Sequence, residues 1–247
     1  MTTSRAHNRS SNALRDIEIT RNYTCYAPGS VLVCFGNTKV IVSATVEERV
    51  PRHIHILKEE NRGWLTAEYA MLPGASGNRV QRDRLKISGR TAEIQRLIGR
   101  TLRACVDLKN IGARTITIDA DVIQADGGTR VAAITGGYVA LMDCLAHLKE
   151  KELLETMPEV IPVAAVSVGV IGGVPMLDLD YSEDSNADVD ANIVMTHDER
   201  FIEVQISSEE SMFKRSEMDE LLNLATQGIQ KIAAVQNQAL QQVLSPV

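Results

Sequence analysis

The sequence predicts an α+β protein in two parts, with mixed sheets packed on helices. Three patterns carry that prediction: β-branched runs in both halves, one amphipathic and one wholly apolar helix, and a proline-punctuated connection past the middle. At 247 residues and 44% hydrophobic content the chain can bury a substantial core, as one large domain or two compact halves.

Ser30 to Phe35 and Thr38 to Val46 are β-branched runs separated by Gly36-Asn37, the pattern of a hairpin. A charged loop around Lys58 to Arg62 precedes a strand from Trp64 to Met71, ended by Pro73-Gly74-Ala75-Ser76-Gly77. Between Thr91 and Val106, Ile94, Leu97, Ile98, Leu102 and Cys105 repeat at helical spacing, while Arg96, Arg100 and Arg103 lie largely off that stripe. Arg114 to Ile123 alternates apolar and polar residues and is a strand. Gly127-Gly128-Thr129 then opens a long apolar helix to about Leu148, in which Gly136-Gly137 allows another element close. Lys149 to Pro162 reads as a connection. Beyond it, Ala164 to Val170 and Met176 to Leu179 form a hairpin, Asn192 to Met195 and Phe201 to Ile206 are strands, and Ser216 caps a terminal helix. Both parts run from strands to helices, a pseudo-repeat without a residue-level repeat.

The N-terminus has no apolar run behind its basic residues and no stretch of 18 apolar residues occurs, so the expectation is a soluble, cytoplasmic protein without a membrane partner. Cys25, Cys34, Cys105 and Cys144 form no Cys-x-x-Cys pair and read as reduced, mostly buried thiols. The histidines lack ligand spacing; His53 and His55 read as exposed loop or edge residues. The formal charge of −6 hides an asymmetry: from Arg79 to Arg103 eight cations face only Asp83 and Glu93, which leaves the rest of the chain strongly acidic. Such a tract either tracks a polyanion or is a solvated helix face paired with acids elsewhere.

Two constellations can carry chemistry. In Asp126-Gly127-Gly128-Thr129-Arg130 the glycines permit close approach and the free amides of a helix start favour an anion. Thr129 and Arg130 add a hydroxyl and a planar cation. Taken alone, the motif reads as a tight turn with a surface arginine, and it is no Walker A loop. Between Asp178 and Asp190 six carboxylates crowd into one segment, either a solvated acidic loop or a place where a pair holds Mg²⁺ and one member serves as general acid. A basic tract, an anion site and an acidic segment together fit phosphoryl transfer.

Four stretches in order resemble the ribonuclease PH family: Gly63 to Tyr69, Ser88 to Arg100, Gln124 to Arg130, and Glu183-Asp184-Ser185 with Asp190. The resemblance implies a two-part fold with the ribosomal-protein-S5-domain-2-like β-α topology, its parts at 14–148 and 161–247, and a homohexameric ring built as a trimer of dimers. It implies a phosphorolytic 3′-to-5′ exoribonuclease, a tRNA nucleotidyltransferase that trims RNA 3′ ends, notably tRNA precursors, and releases nucleoside diphosphates. Arg90, Gly128, Thr129 and Arg130 match the family's positions for inorganic phosphate, the co-substrate. Asp184 and Asp190 match its catalytic pair, which implies Mg²⁺ coordination and assistance to the leaving oxygen, with Asp184 assigned nearer the proton transfer. Arg79 and Arg82 match residues that grip RNA.

The sequence departs from the family pattern at Gly74, where another RNA-gripping arginine is common, in the His53 to Arg62 segment, at Ile206-Ser207-Ser208, and at Asn8 and Asp16. Substrate preference and ring geometry are accordingly less fixed than the phosphate site. A second reading is a non-catalytic RNA-binding subunit of an exosome-like ring; Arg90, Arg130, Asp184 and Asp190 speak against it. With 4% aromatic residues there are few stacking platforms, so RNA binding is expected to lean on backbone contacts and to weaken with salt.

Overall fold

The computed structural model describes residues 5, 8–56, 62–83, 87–208 and 212–242. Its elements form two sheets around one central helix. The first sheet contains β1 (Ile17–Arg21), β2 (Gly29–Phe35), β3 (Thr38–Glu47), β4 (Trp64–Met71) and β5 (Thr115–Gln124), in the order β1-β2-β3-β5-β4. All neighbours are antiparallel except β4 and β5, which are joined through a helix and therefore run parallel. The expected hairpin is present, with Phe35 paired to Thr38 across Gly36-Asn37.

Two elements differ from expectation. β1 is an extra edge strand whose exposed and half-buried residues alternate over only five positions. Arg52–Ile56 forms a short helix, α1, and there the exposed His53 ring packs edge-on against Trp64 with centroids 4.9 Å apart, so it is neither loop nor strand edge. The side chain of His55 and most of the charged loop, 57–61, lie outside the described residues, as do Arg84 and Lys86 of the basic tract.

The amphipathic helix α2 (Gly89–Cys105) is capped by Ser88, whose hydroxyl accepts the Thr91 N–H, and buries Ile94, Leu97, Ile98 and Leu102 beside β4. Arg103 turns inward over the Trp64 ring and donates to the Leu65 carbonyl, which covers part of an otherwise open sheet edge. The long helix α3 (Thr129–Glu150) is apolar almost all round because it is enclosed: one side packs on β2 and β3, another on the second sheet. At Gly136 a Cβ would stand 2.7 Å from Val33, so glycine there permits the contact with β2.

The second sheet has the order β7-β6-β8-β9, from β6 (Val163–Ile171), β7 (Val174–Leu177), β8 (Val189–Thr196) and β9 (Phe201–Ser208), all antiparallel. β6 lies between α3 and the terminal helix α5 (Arg215–Gln241), which explains its continuous burial in place of alternation. A single turn, α4 (Tyr181–Asp184), separates β7 from β8. Asp190 thus belongs to a strand, not to a loop. Ser216 lies inside the first turn of α5 and is not its cap; Glu217 reaches back to accept the Lys214 N–H at 2.6 Å. Cys105 and Cys144 are buried and their thiols are pushed up to about 12 by burial, whereas Cys25 is exposed and Cys34 half-buried.

Candidate active site

The turn from β5 into α3 is shaped by two left-handed glycines, Gly127 with φ 76° and Gly128 with φ 66°. A Cβ on Gly127 would lie 2.6 Å from the Leu179 carbonyl oxygen, so this turn can sit directly on the segment leading into α4. Thr38 fixes the turn from the other side: its hydroxyl accepts the Asp126 N–H at 3.0 Å and donates to the Gly127 carbonyl at 2.6 Å. The first intrahelical bond runs from Ala132 to Gly128, and the amides ahead of it form the free, positive end of a 22-residue helix.

Side chains from four elements converge on that end. Tyr69 of β4 is buried, and its hydroxyl lies 2.8 Å from the Thr129 hydroxyl. Burial pushes the phenol up in pKa, while Thr129, Arg90 and Arg130 act in the opposite sense. The Arg130 guanidinium donates through Nη1 to Gln205 of β9 at 2.9 Å and to Glu93 of α2 at 3.2 Å. Arg90, in the first turn of α2, is exposed and forms no ion pair among the described residues.

Asp184 ends α4 and Asp190 stands on β8, where its Oδ1 accepts the Ser207 hydroxyl at 2.8 Å. Burial and then the charge of Asp190 raise the Asp184 carboxyl above the usual carboxylate range, against the opposing pull of Arg90, Arg130 and Arg15. Arg90, Gly128, Thr129, Arg130, Asp184 and Asp190 all line one cleft of about 750 Å³, together with Asn78, Val80, Tyr181 and Asn192. Tyr181 is 66% exposed and offers the cleft an aromatic face. Arg79 and Arg82 are exposed but do not line the cleft; they flank Val80, which does. The basic tract is also less uniform than its composition suggests, since Arg100 pairs with Glu203 and Arg103 packs on Trp64.

The remaining carboxylates of the acidic segment have a different use. Asp178, Asp180 and Glu183 are buried and face three arginines from the N-terminal segment. Arg5 clasps Glu183 through two bonds of 2.7 and 2.9 Å, Arg15 clasps Asp178, and Arg9 donates to Glu183 at 3.1 Å. Burial pushes the Asp180 carboxyl up, but Ser182, the Glu183 amide and Arg9 outweigh it and hold the group below its ordinary range. The segment expected to need a metal or solvent throughout is therefore half neutralised by the chain's own cations.

The fold brings Arg90, Gly128, Thr129, Arg130, Asp184 and Asp190 together in one cleft, beside Tyr69, Glu93, Gln205, Ser207 and Arg15, to which sequence reasoning assigned no role. Tyr69 carried a readable signal, since strand alternation with Leu65 and Ala67 turns it to the buried face. Gln205 and Arg15 carried none, because their partners are far away in the chain.

Two sheets packed on a shared helix thus set the free amides of a helix start beside a carboxylate pair in one cleft. The family comparison is specific. Residues 13–146 match the 3′ exoribonuclease family, domain 1, and residues 162–228 match domain 2 of the same family, so the chain belongs to the 3′ exoribonuclease family. Two solved structures share the two-domain fold. Rice (Oryza sativa) Rrp46 superposes with a TM-score of 0.75 at 20% identity, covering 96% of this chain and 100% of that one. An Archaeoglobus fulgidus exosome with RNA bound to the active site gives 0.77 at 22% identity, covering 94% and 92%.

Proposed function

We propose that this protein is a phosphorolytic 3′-to-5′ exoribonuclease that trims the 3′ ends of tRNA precursors with inorganic phosphate as nucleophile. The observation that carries the reading is the meeting, in one cleft, of an anion cradle and a carboxylate pair. Arg90, the Gly128 to Arg130 amides, the Thr129 hydroxyl and the Arg130 fork hold phosphate. Each charge-assisted bond contributes about 1.5 to 3 kcal/mol. A phosphate oxygen attacks the terminal phosphorus of the RNA and the bond to the preceding 3′ oxygen breaks. A nucleoside diphosphate and a chain one nucleotide shorter leave. The departing 3′ oxygen must gain a proton, and Asp184, whose carboxyl burial and the charge of Asp190 raise above the ordinary carboxylate range, is assigned nearer that transfer.

Two open carboxylates with no third His, Cys, Asp or Glu grouped with them among the described residues fit Mg²⁺ better than zinc, because Mg²⁺ is commonly held by one or two carboxylates, waters and substrate phosphate. Asp184 and Asp190 would hold it, and when bound it supplies charge neutralisation at the reacting phosphate. Tyr181 stacks a base, and Arg79 and Arg82 at the rim grip the RNA backbone. The protein acts in the cytoplasm as a homohexameric ring, a trimer of dimers.

The competing reading is a non-catalytic RNA-binding subunit of an exosome-like ring, favoured by the fold shared with Rrp46 and an archaeal exosome. One assay separates them: incubation of a tRNA with an extended 3′ end, with and without phosphate, beside native mass measurement. Phosphate-dependent shortening by a six-protomer particle is expected. RNA binding without shortening would install the non-catalytic reading.

A further inference from the structure

We propose that Arg15 is a positioning residue for the anion cradle: its guanidinium locks the Asp126 to Gly128 turn to Asp178, and so fixes the phosphate-binding amides relative to the turn that bears Asp184. The assignment rests on the phosphate-binding reading above. Arg15 lies just ahead of β1 and is 8% exposed. Its Nε and Nη2 clasp both oxygens of Asp178 at 3.0 and 2.7 Å, and its own main-chain N–H adds a bond of 2.7 Å to the same carboxylate. The remaining terminal nitrogen, Nη1, donates to the Asp126 carbonyl at 2.5 Å. A Cβ on Gly128 would stand only 3.1 Å from Nη2, so the guanidinium lies directly behind the helix start.

Asp178, at the other end of this link, is fully buried and left-handed at φ 56°; its N–H donates to the Ser167 carbonyl and its own carbonyl accepts Arg9 and Arg5. From there the chain runs through Leu179 and Asp180, where Gly127 touches it, into α4 and Asp184. One side chain therefore joins the two segments that carry the two halves of the chemistry. Arg15 does not line the 750 Å³ cleft; it faces a separate cavity of about 430 Å³ behind Asp126. It acts through its neighbours and does not touch the reacting atoms. Since a displacement of about 1 Å in a reacting constellation costs on the order of a hundredfold, such a brace has kinetic consequences.

Arg15→Lys is the informative variant. It keeps a cation against Asp178, but an ammonium on a flexible stem cannot clasp both carboxylate oxygens and also reach the Asp126 carbonyl. Arg15→Ala would strand the buried Asp178 charge, and is examined only as Arg15→Ala with Asp178→Asn. In the full-length protein, phosphate KM is expected to rise about tenfold in Arg15→Lys while RNA KM stays within about twofold, and the rise in Tm on adding inorganic phosphate is expected to shrink. The double variant should show the same selective loss. An equal loss for phosphate and RNA, or a variant that responds to phosphate as the wild type does, overturns the Arg15 assignment alone. A wild type whose Tm and turnover are indifferent to phosphate overturns the phosphate reading, and this assignment with it.

Discussion

Asp178, Asp180 and Glu183 are sealed from solvent and matched to arginines, whereas Asp184 and Asp190, within a dozen residues of Asp178, open on the cleft without an ion pair among the described residues. The same division runs through the arginines: Arg5 and Arg15 spend their donors on carboxylates and carbonyls, while Arg90 forms no ion pair among the described residues. Charge in this molecule has two uses. Where opposite charges interlock away from water, removing one leaves a buried partner stranded, and the cost falls on stability. On the proposed function, removing a charge that faces the cleft should leave the fold intact and place the cost on substrate or turnover.

The largest stability effect should come from the sealed group. Asp178→Asn deprives Arg15 of its counter-charge, and a loss of about 3 to 5 kcal/mol is expected in chemical denaturation. A loss below about 1 kcal/mol would break the division just drawn. Asp190→Asn should do the reverse, leaving Tm unchanged and lowering turnover by about 10² to 10⁴; a drop in Tm of many degrees would move Asp190 to the structural set. Arg130→Ala lies in between. The expectation is a ten- to hundredfold weaker use of phosphate, equivalent to about 1.5 to 3 kcal/mol, with RNA affinity nearly constant. Parallel loss of RNA affinity would merge two sites held separate here.

The smallest effect concerns Asp184. Its carboxyl is raised in the fold, so the folded state holds the proton more tightly than the unfolded chain does. Its stabilising contribution is complete below the ordinary carboxylate pKa of 3.8 and disappears as pH rises through the folded value. Asp184→Asn should therefore melt slightly higher than the wild type at pH 7, and the difference should vanish as pH falls below about 3.8. A variant that melts lower at pH 7 would contradict the raised pKa.

Much of this was legible in the sequence for physical reasons. β-branched runs about Gly36-Asn37 exposed β2 and β3, alternation exposed β5, the helical stripe exposed α2, and paired glycines marked the start of α3. The family resemblance then grouped six residues that the fold does bring into one cleft. β1 escaped because five alternating residues of mixed polarity at a sheet edge bury too little to leave a pattern. The split within the acidic segment escaped because its cause lies elsewhere: Asp178 is neutralised by Arg15, and Glu183 by Arg5, 163 and 178 positions away. Composition registers six carboxylates between Asp178 and Asp190, but only the fold distinguishes those paired with arginines from those that open on the cleft.

The identity of the released nucleotide decides whether phosphate or water is the nucleophile. Chromatography of the mononucleotides released from a labelled RNA should give nucleoside diphosphates, only when inorganic phosphate and Mg²⁺ are both present, and none from Asp190→Asn. Nucleoside monophosphates released at the same rate without phosphate would contradict the account, because the cleft would then activate water and the cradle formed by Arg90, Thr129 and Arg130 would not hold the nucleophile.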